Sequence, residues 1–171
     1  QLRDEAFYKE RDIELIVREV TKASADDRTV VFANGEALSY DALLVATGST
    51  PRKLEIPGTD LDGVYTLRSL EDAQRILEAA KKGNKAVLIG SSFIALELAS
   101  ALQNQDVEVS IVAPESIPFE KILGEKIGKT VQKNHEKEGT KFYLERKPQV
   151  VSGNEKVEGV KLDDGTSLEA D

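Results

Sequence analysis

The stretch KAVLIGSSFIALELASALQNQDVEVSIVA, residues 85–113, decides the fold. KAVLIG (85–90) reads as an apolar strand that stops at a glycine. SSFIALELASALQNQ (91–105) has the apolar spacing of a helix, and VEVSIVA (107–113) is a second strand. Strand, tight turn, helix and strand within about 30 residues make a βαβ unit. Such a crossover requires two parallel strands and is right-handed. Downstream, the spacing predicts a helix over GEKIGKTVQKNHEKEG (124–139). From KFYLE (141–145) to the end the chain alternates like a β-meander, with DDG (163–165) as a hairpin tip.

Upstream, SLEDAQRILEAAKKG (69–83) is expected to be a helix. Ser69 can cap it, Glu71 and Asp72 suit its first turn, and Lys81, Lys82 and Gly83 suit its end. Leu70, Ala73, Leu77 and Ala80 fall on one face, with Ile76 beside them. IELIV (13–17), TVVF (29–32) and ALLVATG (42–48) read as strands. Between them and the helix, STPRKLEIPGTDLDG (49–63) is rich in turn residues and reads as a crossing between domains. The expected fold class is α/β, a Rossmann-like parallel sheet with flanking helices plus an antiparallel β-meander.

Composition narrows the functions. A chain of 171 residues fits one domain, or one domain plus a fragment. The formal charge of −8 argues against a nucleic-acid partner, whose phosphates would be repelled. No apolar run approaches the roughly 18 residues of a membrane span. Cysteine is absent, so neither a disulfide nor a thiolate–metal site can form within these residues, and no metal is expected. The single histidine, His135, lies in a polar run and reads as a solvated helix residue.

The turn at Gly90-Ser91-Ser92-Phe93-Ile94-Ala95 carries the chemistry. It stands where the dinucleotide fingerprint G-x-G-x-x-G/A would stand, after a strand and at the opening of a helix. Gly90 meets the need for a tight turn, and Ala95 the need for a small residue where helix and strand pack. Ser92 occupies the place of the second glycine; its hydroxyl can donate to phosphate while its Cβ crowds the ligand. A pyrophosphate there would lie on the free N–H groups of a helix start. The other reading is a strand-to-helix turn in an unrelated α/β protein. The second strand ends without an acid for the adenosine ribose. Glu115 is the nearest candidate, or else an exposed loop acid, and no arginine lies near it along the chain to take a 2′-phosphate. This favours NAD(H) over NADP(H).

Four segments in order make the chain resemble the FAD-dependent pyridine nucleotide reductases, in particular the ferredoxin-reductase and apoptosis-inducing-factor-like branch. They are YDALLVATGSTPR (40–52), IPGTDLDGVYTLRSLEDA (56–73), VLIGSSFIALELASAL (87–102) and IPFEKILGEKIG (117–128). The resemblance implies that residues 1–52 are part of an FAD-binding domain. Residues 53–171 would be an NAD(H)-binding domain, truncated at its C-terminal end.

It also implies roles. Gly90, Ser91, Ser92, Phe93, Ile94 and Ala95 would form the NADH pyrophosphate turn. Phe93 would be the aromatic that covers the flavin on its nicotinamide-facing side, or plain helix–sheet packing. Glu97 would approach the nicotinamide carboxamide, or be an ordinary surface acid. Val20, Thr47, Gly48 and Arg68 would contact FAD, Arg68 otherwise being a solvated linker arginine. The implied reaction is hydride transfer from NADH to FAD, then electron transfer to an acceptor such as an iron–sulfur protein. That reaction needs no side-chain nucleophile or acid–base pair. The alternative from another class is a non-catalytic α/β module that senses NADH or docks a partner.

Overall fold

The computed structural model describes residues 3–171 and divides the chain into two compact units, one ending at Gly48 and one running from Ser49 to Asp171. In the first unit a short helix, α1 (Glu5–Lys9), is capped by the Asp4 carboxylate, which accepts from the Phe7 N–H. Three antiparallel strands follow, β1 (Val20–Ser24), β2 (Thr29–Phe32) and β3 (Ala37–Ser39), in the order β1-β2-β3. Two expectations fail here. Residues 13–17 and 42–48 form no strand, although both are apolar. A strand exists only where a neighbour takes its backbone N–H and C=O groups. Among the described residues nothing pairs with either run, and Val17 and Leu44 are 97% and 89% exposed.

The second unit opens with the turn-rich segment 49–63, which lies along the β-meander of the same unit. The Val151 N–H donates to Pro57 O, and the Val157 N–H to Asp62 O. Gly58 permits the approach, because a Cβ there would stand 2.0 Å from Val151 O. Next comes α2 (Leu70–Ala79), opened by a capping box: the Ser69 hydroxyl accepts from the Asp72 N–H and the Asp72 carboxylate accepts from the Ser69 N–H. The helix stops short of the lysines expected at its end. Its inward face is also rotated from the expected one: Ile76 is the buried residue, while Leu70 is 70% exposed. Ala73, Ala79 and Ala80 lie partly buried with Ile76, so small residues let α2 sit close to its neighbours.

The parallel sheet is β4 (Lys85–Ile89), β5 (Glu108–Ala113) and β6 (Lys141–Leu144), in that order, with α3 (Phe93–Gln103) and α4 (Glu120–Lys137) as the two crossovers. KFYL is therefore the third parallel strand, not the start of the meander. The period-2 rule places alternate β5 side chains on opposite faces. Val109 and Ile111 pack with Leu96, Ala99 and Leu102 of α3 and with Ile76. Val112 points the other way, into a second core with Val87 and Tyr143. That face is covered by an antiparallel meander, β7 (Pro148–Gly153), β8 (Val157–Leu162) and β9 (Ser167–Glu169), through Val160, Leu162 and Leu168. The turn 163–165 joins β8 to β9, as its DDG sequence predicts.

A kink at Gly124 (φ 76°) divides α4 near its start, and the longer limb after it matches the expected helix. His135 on this limb is only partly solvated. It is half-buried and edge-on to Phe142 at 6.4 Å, and burial pushes its pKa below the ordinary value. Its place is in packing.

Candidate functional site

The site grows from the junction of β4, Gly90 and α3. Ile89 ends β4, and the Gly90 N–H makes one further bond to Val112 O at 2.8 Å. The chain then turns at Gly90 with φ 114°, a conformation that side-chain-bearing residues rarely adopt. A Cβ on Gly90 would meet no protein atom within 4 Å, so the outer side of the bend is open. Ser91 is buried, whereas Ser92, Phe93 and Ile94 are exposed around the bend.

The start of α3 is chemically unfinished. The first N–H groups of any helix lack partners inside it. In α1 and α2 a side chain supplies one; in α3 the N-cap Ser92 makes no such bond, although its C=O accepts from the Leu96 N–H. No acid lies in the first turn of α3. Exposed donors and the positive end of the dipole thus lie at the C-terminal edge of a parallel sheet, where an anionic group is favoured. Ala95 is partly buried, and Leu96 after it packs into the core against β5, so the small residue stands where helix and strand approach.

The remaining candidates separate. Glu97 is exposed on α3, one turn beyond the bend. Glu115 is half-buried in the segment after β5, and its C=O accepts from the Glu145 N–H at 3.0 Å. Ala113, where an acid would end the strand, is fully buried. An arginine does lie beside this segment, contrary to the reading along the chain. The Arg146 N–H donates to Ala113 O at 3.1 Å, with its guanidinium held by Asp164 at 2.6 Å and by Glu145 O. Sequence distance concealed it, because it arrives with the turn after β6. Val20, at the start of β1, and Thr47 and Gly48 belong to the first unit. Arg68 belongs to the second, where its Nε donates to Ser49 O and its backbone N–H to the Asp72 carboxylate. It is exposed, yet tied to the entry of α2.

The fold and the open glycine turn define a Rossmann-like α/β unit. The family model described as pyridine nucleotide-disulphide oxidoreductase matches residues 4–171, and the chain belongs to that family. Among its relatives, "Nitrite reductase [NAD(P)H]" of Bacillus subtilis (strain 168) is 37% identical over 171 residues, covering 99% of this chain and 21% of the relative. "Apoptosis-inducing factor 3" of Mus musculus is 35% identical over 172 residues, covering 99% of this chain and 28% of the relative. The crystal structure of the ferredoxin reductase for the CYP199A2 system from Rhodopseudomonas palustris superposes with a TM-score of 0.89 at 28% identity. That match covers all of this chain and 43% of the other. The chain thus spans less than half the length of each of these proteins.

The donor set fits the phosphates of a nicotinamide dinucleotide: an uncapped helix start, an open glycine and no carboxylate in the first turn. Among the described residues no group of three or more His, Asp or Glu side chains could hold a metal ion, and no helix is long and apolar enough to cross a membrane.

Proposed function

We propose that residues 53–171 bind NAD(H), within a protein that is an FAD-dependent NAD(P)H oxidoreductase delivering electrons to an acceptor such as an iron–sulfur protein. The observation that carries this reading is the open bend at Gly90 leading into the uncapped start of α3. Family membership supports it, as does the likeness to a ferredoxin reductase and to a nitrite reductase named for NAD(P)H.

In this reading the N–H groups at the start of α3 hold the diphosphate, and Gly90 lets it come close. Ser92 adds a hydroxyl beside it. Glu97 faces the nicotinamide carboxamide and Phe93 walls the ring. Glu115 accepts from the adenosine ribose. Arg146 is already paired with Asp164, which favours NAD(H) over NADP(H). Residues 1–52 belong to the FAD-binding half, with Val20, Thr47 and Gly48 as its contacts, and residues 53–171 to the nicotinamide half. When bound, the flavin supplies the two-electron chemistry that accepts hydride from NADH. This chain's residues bind and orient the dinucleotide, and none needs to move a proton.

Titration of the folded chain with NADH, NADPH and ADP-ribose tests the reading. NADH is expected to bind with a Kd of roughly micromolar order and more tightly than NADPH. Glu97→Ala is expected to weaken NADH more than ADP-ribose. A folded sample that binds none of the three would leave the second reading, a non-catalytic docking module, for which Ser92 in place of a glycine and the buried Ala113 already speak.

A further inference from the structure

The corner between β5 and α4 bears on Phe93, and nothing in the dinucleotide reading uses it. Phe119 stands there with φ 60° and ψ 15°, left-handed backbone that a bulky residue adopts only when its surroundings force it. Those surroundings are visible. The Ile122 and Leu123 N–H groups both donate to Phe119 O at 2.9 Å, which commits the corner to starting α4. Behind it, Pro118 and Ile117 lie directly on the α4 backbone at Gly128, where a Cβ would stand 2.3 Å from Pro118 O and 2.2 Å from Ile117 Cγ2. Pinned in this way, the Phe119 ring is 8% exposed and sits in the helix-face core with Ile76, Leu96 and Ala99. Its neighbour on the outer side is Phe93, at 4.5 Å between ring centroids and 49° between planes. Phe93 remains 49% exposed, one position after the N-cap of α3.

We propose that Phe119 is a positioning residue that fixes the half-exposed Phe93 ring beside the Gly90 turn, so that Phe93 offers the nicotinamide half of the ligand a preformed wall. The inference rests on the dinucleotide reading. It adds a residue that touches no ligand and acts only through Phe93. A ring held on one face by a buried aromatic loses little further freedom when a ligand meets its other face. A residue that merely filled the core would affect every ligand alike. A positioning residue affects only ligands that reach the ring it holds.

The experiment uses Phe119→Leu, which keeps an apolar filler, Phe93→Ala, and the double variant, each titrated with NADH and with ADP-ribose, which lacks the nicotinamide. Phe119→Leu is expected to weaken NADH by about 3- to 10-fold, as suits the loss of one aromatic pair, while ADP-ribose changes by less than about 2-fold. In the Phe93→Ala background the NADH effect of Phe119→Leu is expected to vanish. Equal losses for both nucleotides, or an undiminished effect without Phe93, would overturn the proposal. The Phe93 ring resonances of a phenylalanine-labelled sample, recorded without nucleotide, give a ligand-free check. They are expected to shift and average in Phe119→Leu, and unchanged resonances also overturn it. If the wild-type chain binds neither nucleotide, the dinucleotide reading falls, and the ring resonances alone decide whether Phe119 positions Phe93.

Discussion

Replacing Gly90 by alanine separates the two demands made on that residue, backbone conformation and ligand approach. The added Cβ meets no protein atom within 4 Å, so there is no steric term; the folded chain is penalised only by φ 114°. Backbone in such sparsely populated regions costs about 1–3 kcal/mol. For a chain of this size that lowers Tm by roughly 2–12 °C, which leaves a native domain of about 5–15 kcal/mol stability folded. Among the described residues three of the four helices lie in the unit from Ser49 onward, so far-ultraviolet circular dichroism during heating reads the relevant transition. The methyl group projects into the open side of the bend and holds a diphosphate away from the N–H groups of α3. A hydrogen bond to a charged group contributes about 1.5–3 kcal/mol, so losing one weakens NADH by roughly 10- to 150-fold. The variant should therefore fold, melt modestly earlier and bind at least tenfold more weakly. A folded variant with wild-type affinity would refute the placement of the diphosphate at this turn. An unchanged Tm would refute the argument from φ.

Two further outcomes concern stability. Ser69→Ala removes half of the capping box of α2 and is expected to cost about 0.5–2 kcal/mol in denaturant unfolding, with NADH affinity unchanged. Asp164→Asn tests a pH dependence. The Thr166 backbone N–H at 2.9 Å, then the Thr166 side chain and the Arg146 guanidinium, hold the Asp164 carboxyl down at about 2. The folded state therefore favours the ionised form. That stabilisation is fully present above the ordinary aspartate value of about 4 and is lost as pH falls toward 2. The stability gap between wild type and Asp164→Asn should be widest above pH 4 and close on acidification; a gap independent of pH would dismiss the carboxylate as its source.

The βαβ unit was legible because its signals are local. KAVLIG and VEVSIVA are apolar, the residues between them have helix spacing, and glycine marks the turn, so strand, bend and helix follow from residues in contact along the chain. Ser69 and Asp72 announced the start of α2 for the same reason. In residues 13–17 and 42–48 apolar character states what a run could bury, while a strand also needs a neighbour, which no local pattern supplies. The same holds for KFYL: its alternation suits either partner, and only pairing with β5 chooses the parallel sheet. Leu70 and Ile76 are both strongly apolar, so packing against α3 and β5, not hydrophobicity, selects Ile76 as the inward residue of α2.

By itself the sequence determined the glycine bend, the order of strand and helix around it, and the absence of thiol chemistry within the chain. These depend on residue identity and on backbone preferences that act over a few positions. Only the tertiary structure decided that Arg146 lies beside the segment of Glu115, that His135 packs against Phe142, and that Phe119 supports Phe93. Each of those pairs is brought together by the crossing of separate elements over one sheet, and proximity of that kind is written in no single stretch of the chain.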